Sequence, residues 1–554
     1  MSPLRKLTLL ALAHSGNVAA YRSHPIVDLG YGIYQGSFHQ GLSDNYNFSN
    51  VRYGAVPIRF GKPVAPLGRN TTVDRGEQGR LCPQALAAWE LWAADVAGSF
   101  VSGVVPQLSE AQKKALESPS NLGLPLDPRE TEDCLFLDVV TPVKTFANAK
   151  SHSRARLAPV IVWFYGGGYT VGDKAGFEPS GLIDASYTSS SEGLIFVSVN
   201  SRLGAFGWLS GSKLDSSMVA NAALYDQRLA LEWVQEHILQ FGGDPDRVTI
   251  MGQSSGGASI LHHLTAFGGK SPKKLFKRAI PQSMGYVRIA NERLEDDVVE
   301  RFLSLANVSD LQAARGLPYP QIALANRLLI SDSYWGTSTV GPYEDGVFIP
   351  EMPDQLLRQG RHVYDVDLLI GFNRAEGLVH TSPEVVDEAT YRVSLEQAYA
   401  GAHPTQLHYI QNTMYPPVFD GSYGYTNQTD RSSITRSESF YTCRRGELHA
   451  AYGDRAKSYY INLYPGLHAV EIPYTFYDGK NPGEGVNASI ATTFQELLTS
   501  FASTGMPSSP GLPGGVPTYG NETRMLEVAD MGFSTIKDPG VTSRCKFWNE
   551  NKYL

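Results

Sequence analysis

Gly252-Gln253-Ser254-Ser255-Gly256 places a serine between two glycines, two positions away on either side. This G-x-S-x-G spacing suits a hydroxyl that must project from a sharp strand-to-helix turn, because glycine removes the Cβ atoms that would clash there. The helix that follows would aim its amide dipoles at negative charge developing beside the serine. A second group, Gly166-Gly167-Gly168, precedes the first by roughly eighty residues. A glycine run lets backbone N–H groups converge on one oxygen, and no G-K-[ST] follows to make it a phosphate loop. Together the two motifs predict acyl transfer: Ser254 as nucleophile, with the N–H groups of Gly167, Gly168 and Ser255 as the oxyanion hole.

The surrounding elements must hold these loops side by side. Val160 to Tyr165 is a short apolar run ending in the glycines, and Leu194 to Asn200 is another strand-like run. Asn221 to Phe241 has helical spacing through Leu224, Leu231, Trp233, Val234 and Ile238, and Gly242 to Pro245 stops it. Val248 to Met251 predicts a buried strand leading into the serine, and a helix pattern runs on through Ile260 and Leu264. This alternation is that of a mostly parallel sheet flanked by crossover helices, the α/β-hydrolase form of the α/β class. Earlier in the chain, Asn50 to Phe60 also reads as strand-like, and Gly505 to Gly520 reads as a surface loop.

The chain of 554 residues, 42% hydrophobic and 18% charged, has the balance of a globular protein. Length alone would allow several domains, but the reading is a signal peptide over 1–20 and one domain over 21–554. Arg5 and Lys6 precede the apolar run Leu7 to Ala13, and Val18 and Ala20 suit a cleavage site, so export is expected. No later stretch is long and apolar enough to span a bilayer. A net charge of −8, without a long basic run, gives no reason to expect nucleic acid as a partner. The partner expected is a small-molecule or lipid ester. Cys82, Cys134, Cys443 and Cys545 fit no zinc spacing and suggest two disulfides, with three pairings open. Six sequons, at Asn47, Asn70, Asn307, Asn427, Asn487 and Asn521, agree with glycosylation.

Residue type alone leaves the other catalytic members open, with Asp345 one candidate acid among the carboxylates. The block Asn221 to Ser259, Glu132 to Leu137, Val162 to Gly172, Asn200 to Leu209, Gly371 to Gly377, Tyr464 to Phe476 and the ending Cys545 to Asn549 narrow the choice. With these motifs the chain resembles the type B carboxylesterase family, which includes cholinesterases and fungal lipases and esterases. The resemblance runs from about residue 26 to the C-terminus. It implies Glu376, in Gly371-Phe372-Asn373-Arg374-Ala375-Glu376-Gly377, as the acid and His468, in His468-Ala469-Val470-Glu471, as the base. The order Ser, acid, His also fits the general hydrolase order. The resemblance further implies pairings Cys82–Cys134 and Cys443–Cys545, and structural ion pairs Arg59–Glu132 and Arg202–Asp226. Gln253 stands where the family commonly has Glu, which removes a charge that would favour a cationic ester.

The expectation is therefore a secreted carboxylic ester hydrolase working through an acyl-enzyme, with no metal or organic cofactor required. A lipase whose apolar segment Pro83 to Asp133 forms an interfacial lid is one alternative. A non-catalytic cholinesterase-like binding protein is another, although such proteins usually lose a triad member. His262 and His263, beyond the serine, are expected to pack or to face solvent rather than to react.

Overall fold

A computed structural model describes residues 24–40, 43–117, 127–149, 157–271, 273–285, 291–479 and 485–550. The signal segment expected over residues 1–20 lies outside them. Fourteen strands occur among the described residues, in chain order: β1 (Ile26–Asp28), β2 (Ile33–Gln35), β3 (Ser37–Gln40), β4 (Asp44–Arg52), β5 (Val73–Asp74), β6 (Phe136–Pro142) and β7 (Ala158–Phe164). Then come β8 (Ile195–Val199), β9 (Gly243–Gln253), β10 (Arg278–Gln282), β11 (Asp367–Asn373), β12 (Ala456–Asn462), β13 (Arg524–Ala529) and β14 (Gly532–Lys537).

Eleven of them form the main sheet, in the order β14-β13-β12-β11-β10-β9-β7-β8-β6-β4-β3. The pairings from β8 through β13 are parallel. Those at the edges, β13–β14 and β8–β6–β4–β3, are antiparallel. This is the mostly parallel sheet expected. Parallel strands are covered on both faces and so read as continuous apolar runs. Every residue of β7 (APVIVWF) and β8 (IFVSV) is accordingly buried. The chain passes from β7 outward to β8 and then returns to the other side of β7 as β9. That reversal opens a crevice at the strands' carboxyl ends, where ligands bind in such sheets.

The helix Ala222–His237 continues as a 3₁₀ turn to Phe241 and ends where Gly242 takes a left-handed φ of 92°. Two strand expectations shift. The run beginning at Asn50 belongs to β4, which starts earlier and ends at Arg52. Asn50 is itself left-handed (φ 54°), and the register with β6 jumps between Phe48 and Val51. The chain thus leaves the sheet after this bulge instead of extending to Phe60. Strand β9 begins at Gly243, before the expected Val248, and takes up Pro245 in an irregularity against Ala158 and Val160.

Both disulfides are present, Cys82–Cys134 and Cys443–Cys545. The first closes the segment carrying the helix Glu90–Val101, whose Trp89 and Val96 pack with Leu108 and Trp335. The second ties the helix Arg544–Asn549 to a cluster containing Tyr399, Tyr415 and Trp548. The ion pairs form as well. Arg202 and Asp226 are fully buried with N···O 2.7 Å, and Arg59 meets both oxygens of Glu132 at 2.8–2.9 Å through Nε. Among the described residues, no helix is long and apolar enough to cross a membrane.

Candidate active site

Ser254 sits between β9 and the helix Ser255–Thr265 with φ 56° and ψ −124°. A non-glycine residue there costs of order 1–3 kcal/mol of backbone strain, held by the surrounding structure. The holding contacts are Ser254 N–H to Gln282 O at 3.0 Å and Gly285 N–H to Ser254 O at 3.0 Å. The turn is tight because its far side presses on β7: a Cβ on Gly256 would lie 2.0 Å from the Phe164 carbonyl oxygen. Phe164 and Gly252 are register partners, so the glycine loop after β7 and the serine turn after β9 leave the sheet side by side.

In the glycine loop, Gly167 has φ 123°, and a Cβ there would sit 2.2 Å from Val171 O. Its own carbonyl accepts the N–H groups of Thr170 and Val171, which fixes the loop. The N–H groups of Gly167 and Gly168 have no acceptor among the described residues. The Ser255 N–H belongs to the first helical residue, where amides point outward along the helix axis.

His468 lies on the loop after β12, with Nε2 2.9 Å from Ser254 Oγ. Its Nδ1 lies 2.6 Å from Glu376 Oε2, on the loop after β11. Asn373 donates its backbone N–H to Glu376 Oε1 at 2.6 Å. The two loops are stitched together by Arg374 N–H to Ile461 O (3.0 Å) and Ala375 N–H to Gly466 O (2.8 Å). Burial disfavours protonation of His468, but the contacting Glu376 carboxylate, aided by the nearby charge of Glu471, holds its pKa above the ordinary value. Gln253 Nε2 lies 3.4 Å from His468 Nε2.

Behind this row is a second buried carboxyl. Glu471 accepts from the Ser283 hydroxyl and the Asn373 amide. Burial first, then the charge of Glu376, raises its pKa. In front, the Tyr441 ring packs on His468 at 4.7 Å between centroids, and its hydroxyl is 2.5 Å from His380 Nε2. Burial and the charges of Glu376, Glu471 and Glu90 push the Tyr441 hydroxyl far above its ordinary pKa. Trp89 is edge-on to His380 at 5.6 Å.

A serine hydroxyl, an imidazole and a carboxylate in one hydrogen-bonded row, with uncommitted backbone donors on the neighbouring loop, form an arrangement that can perform acyl transfer. A sequence profile of the carboxylesterase family matches residues 23–548. The chain belongs to the carboxylesterase family. It is 37% identical to Carboxylesterase patB of Penicillium expansum over 96% of each chain. It is 30% identical to a Secreted lipase of Arthroderma benhamiae over 76% of this chain and 82% of that one. Among solved structures, Aspergillus niger EstA superposes with a TM-score of 0.74 at 23% identity, covering 95% of this chain and 98% of that one, a likeness of fold. This carboxylesterase is thus an ester hydrolase on an α/β-hydrolase scaffold.

The other candidates fall elsewhere in the carboxylesterase. Asp345 accepts from Asn221 and from the N–H groups of Val347 and Ile349, and so closes a turn. His262 and His263 are buried in the helix beyond Ser254, where burial pushes both pKa values down to about 3. His263 stacks on Phe164 and meets Gln227 Oε1 at 3.1 Å. Five sequon asparagines, Asn70, Asn307, Asn427, Asn487 and Asn521, are exposed, whereas Asn47 lies half-buried in β4. Sequence reasoning did not pick out Glu90, Gly285, His380 or Tyr441 near the serine. The available signal was Glu90, a charge between Trp89 and Leu91 in an otherwise apolar stretch.

Proposed function

We propose that this carboxylesterase cleaves its substrate through a covalent acyl-enzyme formed on Ser254. His468 takes the Ser254 proton as the hydroxyl attacks the ester carbonyl, then passes it to the leaving alcohol. Glu376 fixes the imidazole tautomer and stabilises the imidazolium. The N–H groups of Gly167, Gly168 and Ser255 receive the oxyanion. Water, activated by the same imidazole, then releases the acid. The observation that carries this reading is the unbroken row Glu376–His468–Ser254, at 2.6 and 2.9 Å.

Residues 118–126 of the segment Pro83 to Asp133 lie outside the described residues; in the rest, the packing of Trp89, Val96 and Leu108 with Trp335 supports a wall beside the site rather than an interfacial lid. Two disulfides, exposed sequon asparagines and relatives named as secreted lipases support an exported glycoprotein. The neutral amide at Gln253 supports esters of uncharged alcohols.

The test is labelling with a fluorophosphonate probe. Wild-type protein should label at Ser254 and hydrolyse p-nitrophenyl butyrate, and Ser254→Ala should do neither while keeping its circular dichroism. Full labelling of Ser254→Ala would refute the assignment.

A further inference from the structure

Glu90 is the first residue of the helix Glu90–Val101, and it is only partly buried. Its carboxyl reaches toward the oxyanion loop: a Cβ placed on Gly168 would stand 3.5 Å from Glu90 Oε1. Oε2 accepts the Ala87 N–H at 3.3 Å. Among the described residues no other donor reaches the carboxyl, and no cationic side chain pairs with it. It lies near enough for its charge to act on Tyr441, the ring packed on His468. The triad does not use it.

A carboxylate held permanently beside Gly168 would oppose negative charge growing on the substrate oxygen. Burial raises the Glu90 pKa to about 7, so the carboxyl is readily protonated. A protonated carboxyl offers one donor and a free acceptor, the complement of an alcohol hydroxyl. A cationic ligand would instead lock Glu90 in the opposing charge state.

Resting on the reading of Ser254 as the acyl-transfer nucleophile, we propose that Glu90 is a specificity-determining residue that binds a hydroxyl near the scissile carbonyl, so that hydroxylated esters are the favoured substrate class. A site built to hydrogen-bond a hydroxyl discriminates strongly against the analogue lacking it, because its polar group is then left without a partner.

The experiment compares kcat/KM within isosteric pairs: ethyl 3-hydroxybutanoate against ethyl 3-methylbutanoate, and 2-hydroxyethyl butanoate against propyl butanoate. Butyrylcholine against 3,3-dimethylbutyl butanoate serves as the cation arm. Active sites are counted by fluorophosphonate titration in each preparation. Wild type should favour the hydroxylated member of at least one pair on the order of tenfold. Glu90→Leu and Glu90→Ala should abolish that preference, and Glu90→Gln, which keeps an acceptor and a donor, should retain part of it. Equal rates within both wild-type pairs would overturn the proposal, as would a hydroxyl preference that survives in the variant that titrates. A Glu90-dependent preference for butyrylcholine larger than that for either hydroxy ester would overturn it too. Wild type that neither titrates nor cleaves any of these esters would instead remove the acyl-transfer reading itself.

Discussion

Ser283 donates its hydroxyl to Glu471 Oε1 at 2.6 Å, anchoring a second carboxyl behind the one that orients His468. Glu376 and Glu471 both raise the pKa of His468. In the proposed mechanism attack needs neutral His468, so rate should be lost as pH falls through that raised pKa. Glu471→Gln removes one of the two charges and should move the acid limb of the kcat/KM profile to lower pH. Its plateau should fall less than about tenfold, whereas Glu376→Gln should lose on the order of 10³–10⁴ through the wrong tautomer. An unmoved acid limb in Glu471→Gln would contradict this electrostatic role.

Gly285 lies against Ser254, and a Cβ there would stand 3.3 Å from Ser254 Oγ and 3.2 Å from the Tyr441 ring. Gly285→Val adds a branched three-carbon side chain beside Ser254 Oγ, where the proposed attack brings the acyl carbon. It should lower kcat/KM on the order of 100-fold, more than any accompanying loss of thermal stability accounts for, while Gly285→Ala loses less. Steady-state rates on p-nitrophenyl acetate, paired with differential scanning fluorimetry, separate this effect from misfolding.

The two bridges close loops of different length, with sequence separations of 52 and 102. In the chain-entropy account both restrict the unfolded chain, the longer one slightly more, by roughly 4–5 kcal/mol before native strain is counted. Replacing Cys443 and Cys545 together by Ser should lower the urea midpoint at least as much as replacing Cys82 and Cys134. The reverse order would show that local packing, not loop length, sets their contribution.

Glu295 is buried near the start of the helix Glu292–Ala306, and its Oε1 has no partner among the described residues. Burial, then the charge of Asp296, pushes its pKa up to about 8. The fold favours the protonated carboxyl, so this group costs nothing below the ordinary carboxyl pKa. Its cost grows as pH rises from there to about 8, because the unfolded carboxyl ionises first. Glu295→Gln should therefore gain stability over wild type at pH 9, on the order of a few kcal/mol, and gain little at pH 5. Urea denaturation at both pH values checks it.

What could be read in advance tracks how local the physics is. The serine turn was legible because Gly256 must clear the Phe164 carbonyl within one strand-turn-helix unit. Strands β7 and β8 were legible because burial on both faces writes an apolar run into the chain. Glu376 and His468 left no local pattern, since their partners lie 92 and 214 residues away, and only the family's blocks singled them out. Asn50 misled because a left-handed residue inside a β-rich run looks like any other strand position. Glu90 passed unnoticed within the apolar segment Pro83 to Asp133, for nothing in its own helix indicates that Gly168 faces it.

The row Glu376–His468–Ser254 draws each member from a loop after a different strand, β11, β12 and β9. No fragment ending before β12 contains all three, and adjacency exists only once those strands have docked in register. The proposed site therefore depends on contacts of long sequence separation, the kind that are slow to close. During refolding, helical ellipticity should recover before hydrolysis, and a nascent or clipped chain exposes a serine with no base to activate it. The sheet order thus ties the proposed triad to the completed sheet, not to any local segment of the chain.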